Sequence, residues 1–150
     1  MSHITNVRLR VKNLDALAKA STELGLELKQ GQKTFRVHEG PRPCEHAIVV
    51  PGNANAHQIG LVAVTAKNAI AIADGSPVEA GAGWDLLFDG WGSNGAALTS
   101  KTGANLTKIR QGYSAEVAME RASKTLARQG FVATRTMLES GIMRVRLVQR

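Results

Sequence analysis

The 150-residue chain carries a single cysteine, Cys44. One thiol forms no internal disulfide, so the fold rests on packing alone and suits a reducing cytoplasm. Aromatic residues are nearly as scarce: Phe35, Trp84, Phe88, Trp91, Tyr113 and Phe131 complete the set. Few rings are therefore on hand for stacking against nucleobases. No apolar run approaches the ~20 residues of a membrane-spanning helix. The opening Met1-Ser2-His3-Ile4-Thr5-Asn6 lacks the basic-then-apolar layout of a signal peptide. No C-x-x-C pair, no G-x-x-x-x-G-K-[ST] loop and no nucleophile elbow is present, which excludes the common zinc, P-loop and serine-hydrolase designs. Acidic residues are almost missing from the last third, where only Glu116, Glu120 and Glu139 occur.

What is there, above all, is positive charge in uneven distribution. Residues 101–150 net +7, residues 1–44 net +4, and residues 45–100 net −4, which together give the chain its formal +7. A basic surface with a less basic region elsewhere is the electrostatic footprint of a polyanion binder, most often of nucleic acid. At 150 residues the chain reads as one domain, 1–150, large enough to bury a core without staples.

Residues 4–12 alternate Ile4, Val7, Leu9 and Val11 with Asn6, Arg8, Arg10 and Lys12, a strand with one basic face. Asn13 then offers a helix N-cap, Leu14, Leu17, Ser21 and Leu24 follow helical spacing, and Gly25 offers a stop. Gly31, Gly40, Pro41 and Pro43 make 31–45 a loop. A strand at 47–50 ends at Pro51-Gly52, and apolar runs at 59–65 and 69–73 form a hairpin. Residues 74–83 read as loop, 84–88 as strand, and 90–95 as a glycine-rich loop. Helical pattern returns at Asn105, with Gly112 breaking it before 113–129. Strands at 131–138 and 142–149 flank Glu139-Ser140-Gly141 as a C-terminal β-hairpin. The expected class is α+β, a mostly antiparallel sheet with two helical segments.

Several short motifs recur in a recognisable order. Met1-Ser2-His3 precedes a strand and a Leu-rich helix ending Leu24-Gly25. Ile59-Gly60 and Phe88-Asp89-Gly90-Trp91-Gly92 follow. Tyr113, a basic helix to Gln129-Gly130-Phe131 and the stretch 145–150 close the chain. In this order the chain resembles the hypothetical plastid reading frame thirty-five family, a domain of unknown function from algal plastids and cyanobacteria with phage-encoded members. Residues 65–83 stand as an insertion against that pattern, and Gly90-Trp91 replaces two adjacent aromatics. The resemblance brings no catalytic residues. In size and charge the chain is also similar to phage single-stranded DNA-binding cofactors of transcription. That likeness implies a host-cytoplasm setting and an RNA polymerase or replication protein as a further partner.

The candidate contacts follow from these patterns. Arg8, Arg10 and Lys12 share one face of the first strand, and Arg144 and Arg146 share one face of the last. If the two strands pair, five cations form a ladder for backbone phosphates. Lys101, Lys108 and Arg110 extend the track at the entry to the second helical region. Trp91 and Tyr113 are the stacking candidates. Gly90-Trp91-Gly92-Ser93-Asn94-Gly95 matches G-x-G-x-x-G, but Ser100-Lys101-Thr102-Gly103 interrupts the helix that motif needs, so no dinucleotide site is expected. His38, Cys44, His46 and His57 lack zinc spacing, Asp85 and Asp89 lie too far apart along a strand to share a metal, and no cofactor is expected. The sequence thus points to a non-enzymatic, single-stranded DNA-binding protein of low sequence specificity, without a membrane and open to self-association through avidity. The alternative is a protein–protein adaptor with a basic surface for an acidic partner. Exposure of Trp91 or Tyr113 beside the cations separates the two.

Overall fold

The computed structural model describes residues 3–64, 83–137 and 143–149. The alternating N-terminal segment forms strand β1 (Ile4–Val11), with Val7 and Val11 buried. Helix α1 (Leu14–Glu23) starts where the Asn13 side chain accepts the Ala16 N–H at 3.0 Å, with Asp15 in the first turn. It ends before Gly25, whose φ of +76° is a conformation that favours glycine.

Strands β2 (Glu27–Gln30), β3 (Thr34–Val37), β4 (Gly40–Pro43), β5 (His46–Val49), β6 (Ile59–Ala63) and β7 (Trp84–Asp89) follow. Five of them build one sheet in the order β1-β7-β6-β5-β2, with every pairing antiparallel. The period-two rule divides its residues between two faces. Val11, Ile48, Leu61, Leu86 and Phe88 pack with Leu17 of α1 and with Leu106 and Ile109 further along the chain. Ala47, Val62 and Leu87 pack instead against Phe35 and Val37 of β3. Burying each large aliphatic side chain contributes roughly 1.5–3 kcal/mol. Helices thus cover one face, and the β3–β4 pair covers part of the other.

The structure corrects the sequence reading in three places. The expected loop at 31–45 contains the β3–β4 pair, Thr34↔Pro43 to Val37↔Gly40. Pro41 and Pro43 are tolerated because β4 has only one partner and needs no second row of N–H donors. The glycine-rich segment opens helix α2 (Gly92–Thr102) rather than a loop. Gly95 belongs there because a Cβ on it would lie 2.3 Å from the Gly90 carbonyl carbon. The helical break falls at Gly103 and a single 3-10 turn (Ala104–Leu106), with left-handed φ at Asn105 (+53°) and Leu106 (+55°). Helix α3 (Thr107–Arg128) then runs through Gly112 without interruption. The chain therefore has three α-helices among the described residues, where two helical segments were expected.

Strands β8 (Phe131–Met137) and β9 (Met143–Gln149) pair antiparallel as a separate two-stranded sheet beside α3. The residues joining them, 138–142, and the expected arm at 69–73 lie outside the described residues. The architecture is α+β, with helices and antiparallel sheets. No helix among the described residues is long and apolar enough to cross a membrane.

Candidate nucleic-acid interface

The five-cation ladder does not form. Among the described residues β9 pairs only with β8, setting Arg144 opposite Thr136 and Arg146 opposite Thr134, while β1 pairs with β7 at the edge of the main sheet. Arg146 is exposed; the side chains of Arg8 and Arg144 lie outside the described residues. The two basic strands are similar in pattern but belong to different sheets. Strand partners are set by tertiary packing, which alternation alone does not encode.

Arg10 is occupied within the protein. It sits opposite Asp85 across the β1–β7 pair, and its Nε donates to Asp85 Oδ1 at 3.1 Å. Asn6 Nδ2 donates to the other carboxylate oxygen at 3.4 Å. Asp85 is 1% exposed, so Arg10 supplies the charge that a buried carboxylate requires. Its Nη1 is also buried and has no hydrogen-bond partner among the described residues. Phosphate binding is thus not its principal role, which corrects the expectation from strand alternation.

Tyr113 is likewise corrected as a stacking residue. It is buried, and its hydroxyl accepts the backbone N–H groups of Lys12 (3.0 Å) and Asn13 (3.2 Å). This ties α3 to the junction of β1 and α1. Asn13 adds a second tie, its Nδ2 donating to Glu120 at 2.7 Å.

Beside these ties lies an open groove of about 500 Å³ between the end of β1 and α3. Arg10, Lys12, Arg121 and Lys124 line it, and among the described residues Glu120 is its one acidic residue. Glu120 is compensated by Lys124 at 3.7 Å and by Asn13. Lys12, Arg121 and Lys124 are exposed. Arg110, Arg121 and Arg128 are separated by 11 and 7 residues, close to whole numbers of helical turns. With Lys124 they make a cationic stripe about 27 Å long at ~1.5 Å per residue. Arg121, Lys124 and Arg128 were legible as charges in the sequence. Their alignment with Arg110 appears only once α3 is seen to be unbroken through Gly112.

Lys101 and Lys108 lie elsewhere. Lys101 is exposed in the last turn of α2, with Nζ 3.5 Å from where a Cβ on Gly25 would stand. A cation there favours the carbonyl end of α1. Lys108 is half-buried and lays its Cγ near Gly103.

Trp91 is 49% exposed, but not beside the stripe. It lies near the start of β1, where Ile4 pairs with Asp89, whereas the groove lies at the other end, where Val11 pairs with Trp84. Its neighbours are His3, with ring centroids 5.3 Å apart and planes 8° from parallel, and His38 at 4.1 Å and 56°. The expected combination of an exposed ring with the lysines and arginines of the groove is not assembled, so neither Trp91 nor Tyr113 separates a nucleic acid from an acidic protein partner, and the cations alone carry the choice. The G-x-G-x-x-G segment does connect a strand to a helix, but β7 is antiparallel to both neighbours, so the βαβ unit of a dinucleotide fold is not formed around it. Among the described residues, no group of three or more His, Cys, Asp or Glu is arranged to hold a metal.

No protein-family model matches the chain, and neither curated proteins nor solved structures give a match. The resemblance to the plastid family therefore rests on its short motifs alone.

Proposed function

We propose that this protein is a non-enzymatic nucleic-acid-binding protein whose β1–α3 groove holds the phosphate backbone of single-stranded DNA with little sequence preference. The observation that carries the reading is the groove with its helix stripe: Lys12, Arg110, Arg121, Lys124 and Arg128 are exposed cations within one helix length. Such cations release counterions from the backbone and read no base edge. Single-strand preference is supported by placement. α3 packs against both α1 and β8 rather than projecting like a recognition helix. A concave channel between a strand end and a helix suits one extended backbone. Strand β9 would add the exposed Arg146 to the cationic surface. An accessory role in phage transcription or replication is the setting that the family resemblance adds.

Fluorescence anisotropy with a labelled single-stranded oligonucleotide across a salt series tests this. Five phosphate contacts give a log–log slope of about −3.5, at ~0.7 per phosphate. Arg121→Ala with Lys124→Ala should flatten it by about 1.4. Absence of binding at low salt rejects the reading and favours an acidic protein partner. Equal affinity for a matched duplex rejects the single-strand preference alone.

A further inference from the structure

The corner where β3, β7 and α2 meet is built in a way the groove does not explain. Asp89, at the end of β7, is buried. Its Oδ2 accepts the His38 N–H and its Oδ1 the Trp91 N–H, both at 2.9 Å. One carboxylate thus anchors the backbones that carry two ring-bearing side chains. Burial alone would raise its pKa. The His38 and Trp91 N–H groups, aided by His57 and His3, outweigh that and hold it below the usual value. His57 is 3% exposed, and its Nδ1 lies 2.7 Å from the Asp89 carbonyl oxygen. Because a carbonyl oxygen only accepts, Nδ1 is the donor of that contact. Nε2 has no partner among the described residues and is the nitrogen left for the adjoining cavity, which His57 lines.

That cavity has a volume of about 640 Å³, within the range of small-molecule sites. Arg36, His38, Asn94 and Gln58 also line it. Gln58 accepts from Gln32 Nε2 (3.1 Å) and the Arg36 N–H (3.0 Å) through Oε1, which leaves its own amide NH₂ as a donor. Arg36 uses Nη1 on the Ala56 carbonyl at 3.2 Å and remains exposed. The cavity therefore combines the exposed His38 ring, amide groups, an imidazole nitrogen without a partner among the described residues and a guanidinium; Trp91 is not part of its lining and adjoins it through His38, with ring centroids 4.1 Å apart.

The geometry points to a binding site for a nucleoside phosphate: its planar base stacks at Trp91 and His38, amides and His57 Nε2 meet its polar edge, and Arg36 meets its phosphate. A ring alone would leave unused the part of the Arg36 guanidinium not engaged by Ala56, and a simple anion would leave the rings unused. The site is independent of the β1–α3 groove and lies at the other end of β1. The nucleotide comes either free or as the terminal unit of a strand, since the recognising chemistry is the same.

Isothermal titration of the full chain with adenosine 5′-monophosphate, adenosine and ribose 5-phosphate tests the proposal. The monophosphate should bind saturably and tighter than either fragment. Trp91→Ala should weaken it by roughly tenfold, as expected for loss of one base-stacking contact. Arg36→Ala should weaken the monophosphate while leaving adenosine unchanged, and unaltered circular dichroism of both variants separates these effects from misfolding. Monophosphate binding no tighter than that of ribose 5-phosphate, or unchanged in Trp91→Ala, overturns the proposal. An oligonucleotide with a terminal phosphate that displaces the monophosphate identifies a strand end. One that binds alongside it identifies free nucleotide. Arg121→Ala with Lys124→Ala should leave monophosphate binding intact, so this site and the groove fail separately.

Discussion

Arg10 and Asp85 show how a residue's role depends on its environment. Asp85 is 1% exposed and the Arg10 side chain 13%, so the pair is largely withdrawn from water. Removing one partner of such a pair strands a buried charge at a cost of about 3–5 kcal/mol. Arg10→Ala should therefore lower stability by about 3 kcal/mol or more in urea denaturation, well beyond an exposed Arg121→Ala at within about 0.5 kcal/mol. Equal losses would mean that the ion pair is not structural. Asp89 carries a pH dependence of defined sign. Its folded pKa lies below the ordinary carboxyl value of 3.8, so its contribution is complete above that value and is lost as pH falls through the folded pKa. Asp89→Asn should be less stable than wild type near neutral pH and should show a shallower fall in stability below about pH 4. Parallel curves for the two proteins would contradict this assignment.

Among the elements, β3 seats on β6 with a close approach at Gly60. A Cβ on Gly60 would lie 2.2 Å from the Phe35 ring, and Phe35 is 1% exposed. Gly60→Ala must push the ring and β3 away from the sheet, at an expected cost of roughly 1–3 kcal/mol by thermal denaturation. A neutral result would show that β3 shifts freely. α2 and α3 give the complementary lesson. Gly92, Ser93, Asn94 and Gly95 are poor helix formers, yet tertiary contacts make them the first turn of a helix. Gly112 has the same low propensity, yet it is buried within a continuous helix. The left-handed residues Asn105 and Leu106 mark the true break. Gly103, just before them and also at positive φ, announced the interruption in the sequence, whereas Leu106 gave no signal of its own. Burial of Leu106 at 0% exposure offsets the strain of its backbone.

At the scale of the whole molecule, the unequal division of charge has a physical basis. Asp85 and Asp89 of the acidic middle segment are buried and have internal partners, while Lys12, Arg110, Arg121, Lys124 and Arg128 remain on the surface. Binding a polyanion should then stabilise the native state by mass action. Adding single-stranded oligonucleotide should raise Tm at low salt, with the increase shrinking as salt rises. A rise independent of salt would point away from the cationic stripe. By itself, the sequence determined the net charge, the first strand and capped helix, the basic C-terminal third and the α+β class. These follow from local periodicity, capping and composition, which need only neighbouring residues. Only the tertiary structure decided that Arg10 serves Asp85, that Tyr113 is a buried tie, that Arg110 aligns with Arg121 and Arg128, and that Trp91 stands over Asp89 with two histidines. The arginine alignment needs an α3 that runs unbroken through the buried Gly112, and the others join residues far apart in the chain; the free energy for both comes from packing and desolvation, which no local pattern records.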